Sequence, residues 1–218
     1  MKFLSSKKTI RIGIGGNLGS GKTTVAKELI KLFQNAGFKI SLIEADKIAW
    51  KLYKYSPNNQ IYQKIVKTFG QGILDKHKKI NRKALASVVF GNKAKLQKLN
   101  QIVHPELIRR LNHKLQRNNN TIKILDAALL FFWRKKIMVD YRILVTAPKA
   151  HKISRMLKRG YSLKDILARL NYQMKERDMR SMADFIIANN GTRAELKEKV
   201  KILYRKIVEN DCSKKILK

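Results

Sequence analysis

Gly16-Asn17-Leu18-Gly19-Ser20-Gly21-Lys22-Thr23 has the spacing G-x-x-x-x-G-K-T of a phosphate-binding loop. The residues before it, Thr9-Ile10-Arg11-Ile12-Gly13-Ile14, read as a buried strand. The residues after it, Thr24-Val25-Ala26-Lys27-Glu28-Leu29-Ile30, read as a helix. A glycine-rich turn in that setting aims backbone N–H groups and the positive helix end at one point, which suits a polyphosphate. Lys22 then reaches the outer phosphates, and the Thr23 hydroxyl is placed to hold a magnesium ion.

Four further apolar segments look like strands: residues 39–43, 122–125, 141–145 and 185–187. With residues 10–14 they predict a five-stranded parallel sheet of an α/β protein, because helical stretches separate them. Ligands in such folds sit beyond the C-terminal strand ends. Asp46 follows the second strand there and Asp126 ends the third. Glu44 and Asp46 are two apart, so in extended chain only one faces the ligand, and Asp46 is the candidate.

Residues 47–120 are too many for one crossover helix. Segments 61–69, 82–90, 93–103 and 105–115 carry helical spacing and predict a helical insertion, closed by the polar break Asn118-Asn119-Asn120. A second excursion, 149–180, is helical and basic, with a helix start at Ser162-Leu163-Lys164-Asp165. Arg155 and Arg159 are four apart and share a helix face; Arg169 and Gln173 repeat that spacing. A flap carrying them would close over a nucleotide and exclude water. The reading is therefore a core of 1–46, 121–148 and 181–218, a helical domain of 47–120 and a lid of 149–180. Residues 194–208 read as an amphipathic closing helix.

The 218 residues hold 49 Lys+Arg against 15 Asp+Glu, a formal net charge of +34. The basic residues are spread along the chain, and no ordered series of aromatics offers to stack bases. We therefore expect only non-specific affinity for nucleic acid, on a composition drifted toward lysine, asparagine and isoleucine. The one cysteine, Cys212, cannot form an internal disulfide and sits in a polar tail. Residues 1–8 carry no apolar run of the signal-peptide kind, and no stretch approaches membrane-spanning length. A cytoplasmic protein off the membrane is expected, as a monomer or weak homo-oligomer.

Accessory residues divide the phosphate-loop proteins. Asn92-Lys93-Ala94-Lys95 lacks the aspartate of a guanine-reading N-K-x-D. No Asp-Glu pair occurs in the chain, so the water-polarising glutamate of motor-type ATPases is missing after Asp126. A small kinase remains, with a substrate hydroxyl as acceptor. On the residues alone its acceptor stays open between a nucleoside, a nucleotide and another metabolite, and a basic nucleic-acid-binding ATPase is the alternative from another class.

The ordered motifs narrow this. Gly15-Gly16-Asn17-Leu18-Gly19-Ser20-Gly21-Lys22-Thr23, Glu44-Ala45-Asp46-Lys47-Ile48-Ala49, Phe69-Gly70, Ile80-Asn81-Arg82-Lys83-Ala84-Leu85, Val89-Phe90 and His104-Pro105 come first. Ala128-Leu129-Leu130-Phe131, Arg155 to Arg159, Arg169, Gln173 and Ala183-Asp184-Phe185-Ile186-Ile187-Ala188-Asn189-Asn190-Gly191 follow. Together they resemble the dephospho-CoA kinase family from about residue 10 to 200. The resemblance implies a P-loop kinase three-layer fold with a helical substrate domain and a lid. It implies ATP-dependent phosphorylation of the ribose 3′-hydroxyl of dephospho-CoA with Mg2+, the last step of coenzyme A formation.

By the same resemblance Asn17, Leu18, Gly19, Ser20, Gly21, Lys22, Thr23 and Thr24 hold the nucleotide, and Asn189 and Gly191 lie near the adenine. Asp46 addresses the acceptor hydroxyl, Lys22, Arg155 and Arg159 serve the transferred group, and Thr23 and Asp126 are the metal candidates. Arg82, His104, Leu129 and Leu130 fall on the substrate side. The chain departs from the family pattern at Glu44 (aspartate in the family), Ala128 (proline) and Phe132 (glutamate). The last removes a carboxylate from the substrate side.

Overall fold

A computed structural model describes residues 9–56, 58–90, 92–117 and 121–216, the last seven of these as backbone only. The polar break at 118–120 and the reading of residues 1–8 lie outside the described residues, as does the side chain of Cys212. The strands are β1 (Ile10–Gly15), β2 (Ile40–Glu44), β3 (Ile122–Asp126), β4 (Tyr141–Thr146) and β5 (Phe185–Ala188). They form one parallel sheet in the order β2-β3-β1-β4-β5. The helices are α1 (Lys22–Asn35), α2 (Ala45–Leu52), α3 (Gln60–Phe69), α4 (Arg82–Phe90), α5 (Lys93–Gln116), α6 (Lys149–Leu157), α7 (Leu163–Asn171), α8 (Glu176–Arg180) and α9 (Arg193–Ile216).

Side-chain alternation sorts the sheet into two faces. Ile10, Ile12, Ile14, Ile124, Ile143 and Val145 point to one, where they meet Val25, Leu29 and Phe33 of α1 and Leu196, Val200, Leu203 and Ile207 of α9. Each large side chain so buried stabilises the fold by roughly 1.5–3 kcal/mol. Ile43 and Leu125 point to the other, where they meet α2 to α5 through Leu52, Ile65, Leu85, Leu107 and Leu111. Helix, sheet and helix thus form three layers around two apolar cores.

The predicted strands are all present, but the insertion differs in one respect. Segments 93–103 and 105–115 form the single helix α5, with Pro105 inside it. Proline removes one backbone hydrogen bond, a penalty of roughly 3 kcal/mol in a helix interior. The apolar stripe Val103, Leu107, Leu111 and Leu115 runs straight across it and is buried throughout. Burial of that stripe outweighs the proline.

The far end of α5 is held by strand residues. Lys123 on β3, although only 2% exposed, donates to the carbonyls of Lys114 and Arg117, and Arg11 Nε donates to Leu115 O at 2.9 Å. Arg11 and Lys123 are register partners on neighbouring strands, so two cations stand side by side. The partial negative charge at the helix C-terminus makes that arrangement tolerable. Burial, with Arg11, Arg117 and Lys114 adding to it, holds the Lys123 ammonium below the usual lysine range. Lys123→Met keeps most of the volume but orphans two part-buried carbonyls at the end of α5. We expect it to destabilise the fold by about 1–2 kcal/mol, seen as a lower urea midpoint at unchanged slope; an unchanged midpoint would count against this capping role.

Candidate active site

The loop between β1 and α1 owes its shape to its glycines. Gly19 and Gly21 adopt φ of 73° and 99°, the left-handed region that side chains rarely tolerate. Gly21 is also the N-cap of α1. A Cβ on Gly19 would lie 2.5 Å from the Lys152 carbonyl oxygen, and one on Gly21 would strike Asn189 Nδ2. The loop is therefore pressed on one side by α6 and on another by the chain after β5.

Those two neighbours brace it. Asn189, buried, donates through Nδ2 to Ser20 O at 2.8 Å. Arg155 donates to Gly19 O at 3.2 Å, Ser20 O at 3.3 Å and Asn189 O at 3.1 Å. Arg155 was expected at the transferred group; here its guanidinium is engaged with backbone carbonyls. Arg159 is exposed and close enough to depress the basicity of both Lys22 and Arg155. Gly191 lies further along, its Cα facing Glu195.

Lys22, in the first turn of α1, donates to Asn17 O at 3.2 Å. Burial lowers its basicity, the Asp126 and Asp46 carboxylates act to raise it, and Arg159 lowers it further. Thr23 Oγ1 donates to Asp126 Oδ2 at 2.8 Å across the cleft from α1 to β3. Burial pushes the Asp126 carboxyl up, the Thr23 hydroxyl and Lys22 pull it down, and Asp46 and Glu44 push it up again. Lys22, Asp46 and Asp126 thus share one electrostatic neighbourhood at the C-terminal strand ends.

Asp46 is exposed in the first turn of α2, for which Glu44 is the N-cap. The sequence reading placed it in extended chain; the helix begins at Ala45, directly after β2. Glu44 turns to Lys47, 2.6 Å away, which leaves Asp46 as the carboxylate on the open side. Thr23 and Asp126 supply two hard oxygen donors, and no group of three or more His, Cys, Asp or Glu side chains converges among the described residues. That sparse set fits Mg2+, which keeps several waters and takes other ligands from substrate phosphates.

Beyond Asp46, a cleft of about 380 Å³ is lined by Lys47, Trp50, Lys51, Tyr53, Lys54, Tyr55, Lys79, Ile80 and Arg82. The Arg82 guanidinium lies 3.7 Å from the Trp50 ring centroid. Burial raises the Tyr53 hydroxyl, with Arg82 opposing and Asp46 reinforcing. The aromatics of this cleft were not singled out from sequence, although the alternation Trp50-Lys51-Leu52-Tyr53-Lys54-Tyr55 signals them.

The remaining predicted residues are less tightly grouped. Leu129 is half-buried, but Leu130 is fully buried in the core against Gly13, with no surface for a ligand. His104 lies mid-helix in α5 and accepts from Trp133 Nε1 at 3.3 Å, with Phe132 beside it at 6.2 Å between ring centroids. Arg169 lies over the Phe90 and Tyr161 rings at 4.1 and 5.3 Å. It therefore links α7 to α4, and its Nε has no hydrogen-bond partner among the described residues.

Burial, with a smaller push from Lys136, lowers His104 from 6.5 to about 4. The unfolded chain therefore binds the extra proton first. The stability from neutral His104 is complete above pH 6.5 and is lost progressively as pH falls from 6.5 through 4, a change of about 3 kcal/mol. Chemical denaturation of wild type and His104→Gln across that window checks this; the variant should show the flatter profile.

The sequence pattern that defines the dephospho-CoA kinase family matches residues 10–195. The chain belongs to the dephospho-CoA kinase family. It is 36% identical over 202 residues to the dephospho-CoA kinase of Aquifex aeolicus, covering 92% of this chain and 98% of that one. It is 34% identical over 208 residues to that of Carboxydothermus hydrogenoformans, covering 94% and 97%. The solved dephospho-CoA kinase of Campylobacter jejuni superposes with a TM-score of 0.57 at 26% identity, covering 93% of this chain and 98% of that one. Among the described residues no helix is long and apolar enough to cross a membrane.

Proposed function

We propose that the chain transfers the γ-phosphoryl group of ATP to the ribose 3′-hydroxyl of dephospho-CoA, giving coenzyme A and ADP. One observation carries the reading: a phosphate loop with Lys22 stands in the same electrostatic neighbourhood as Asp46, a carboxylate outside the loop. Such a pair joins a phosphate cradle to a group that addresses an acceptor. The 3′-oxygen attacks the γ-phosphorus in line, the bond to the β,γ-bridging oxygen breaks, and ADP leaves with that electron pair. Asp46 orients the hydroxyl and accepts its proton late, since phosphoryl transfer demands little early base strength.

Lys22 and the loop amides neutralise charge on the outer phosphates. Arg159 adds a cation from the lid, while Arg155 acts through the loop it braces. Thr23 and Asp126 would hold Mg2+, which would neutralise charge on the nucleotide phosphates. Arg82 and the aromatic cleft receive the diphosphate of the acceptor, with residues 47–120 as the substrate domain and 149–180 as the lid. A cytoplasmic setting and only non-specific contact with nucleic acid complete the proposal.

A coupled ADP-release assay with ATP, Mg2+ and a panel of hydroxyl acceptors tests it. Turnover with dephospho-CoA, and a new 3′-phosphate in the phosphorus NMR spectrum of the product, are expected. Turnover with a nucleoside but none with dephospho-CoA would overturn it.

A further inference from the structure

The lid excursion touches the phosphate loop at several points. The Lys152 backbone closes over Gly19, and Arg155 grips the Gly19 and Ser20 carbonyls. Gln173, just past α7, differs: its Oε1 accepts from the Leu18 N–H at 2.9 Å. In a loop of this kind the N–H groups face the bound anion and the carbonyls face away. Of these contacts, Gln173 is therefore the one on the anion's side.

The peptide it holds is gripped twice. Asn17 C=O and Leu18 N–H belong to one planar unit. Lys22 Nζ takes the carbonyl edge at 3.2 Å and Gln173 takes the amide edge at 2.9 Å. Lys22 is the residue that reaches the outer phosphates in such loops, so this unit lies at the outer end of the cradle. An N–H can be accepted only by the oxygen of a carboxamide, which fixes the orientation of Gln173. Its Nε2 then keeps two donors beside the cradle, with no partner among the described residues.

We propose that Gln173 reads the terminal phosphate of ATP, with Oε1 on the Leu18 amide and Nε2 donating to a γ-phosphate oxygen. A neutral donor orients the transferred group without adding to the charge of Lys22 and Arg159, and it makes lid closure sensitive to whether the third phosphate is present. The inference rests on the proposed function only in that this loop binds ATP.

Calorimetric titration of the full chain with Mg2+ and either ADP or an imido-bridged ATP analogue tests it. Gln173→Glu keeps an acceptor for the Leu18 amide but turns the donors into a charged oxygen. It should weaken the triphosphate analogue by about tenfold or more, as like charges in contact do, and ADP by less than about threefold. Gln173→Ala, which carries no new charge, should weaken the analogue by about three- to tenfold, one neutral hydrogen bond, and again spare ADP. Equal weakening of both nucleotides in both variants, or no weakening of either, would overturn the proposal. Wild-type chain that binds the analogue yet does not phosphorylate dephospho-CoA would defeat the proposed function and leave this inference standing.

Discussion

Lys22→Ala is expected to lower turnover with ATP and dephospho-CoA by about a thousandfold or more, the scale at which preorganised charge supports phosphoryl transfer. Lys22 donates to Asn17 O and sits between the fields of Asp126 and Asp46. Its removal withdraws the loop's cation and leaves the Asp126 and Asp46 carboxylates uncompensated toward an incoming polyphosphate. Nucleotide affinity should fall as well, because the repulsion acts on the ground state too. Initial rates and equilibrium ATP binding separate the two effects. A variant that turns over within tenfold of wild type would remove Lys22 from the phosphate site.

Asp46→Asn is expected to act differently. The carboxamide matches the carboxylate in shape, and among the described residues Asp46 makes no hydrogen bond to the loop, only a charge interaction with Lys22. ATP binding should stay within about twofold, whereas turnover should fall by roughly two to four decades, the usual scale of acid–base contributions. The loss should appear in kcat rather than in KM for ATP. Near-normal turnover in the Asn variant would exclude Asp46 as the group that addresses the acceptor.

The sheet could be read in advance because its three central strands are short, largely apolar runs rich in isoleucine and leucine, with a single basic residue (Arg11, Lys123, Arg142) near the start of each and no competing helical period. The loop was legible for a similar reason: glycine, lysine and threonine at fixed spacing need no tertiary information. Other features depended on partners that a linear string does not reveal. Pro105 looked like a helix boundary, since the burial that carries α5 across it comes from α2, α3 and α4. Leu129 and Leu130 are chemically alike, and only the phase of the turn decides which one enters the core. Arg155 was visible as a cation, but its acceptors are carbonyls more than 130 residues earlier as well as Asn189 O. Asp46 was placed correctly at the strand end and wrongly in extended chain, because nothing before Ala45 signals so early a helix start.

Lys123 and Arg11 lie near the N-terminal ends of their strands, opposite the edge where Lys22, Asp46 and Asp126 gather. The long helix α5 is therefore bolted to the sheet at the end remote from the chemistry. An acceptor entering by α2 and the aromatic cleft, as proposed, would meet the helical layer at the end away from that anchor. The phosphate loop has separate anchors, Asn189 and Arg155, so the two halves of the proposed site are fastened to the sheet independently.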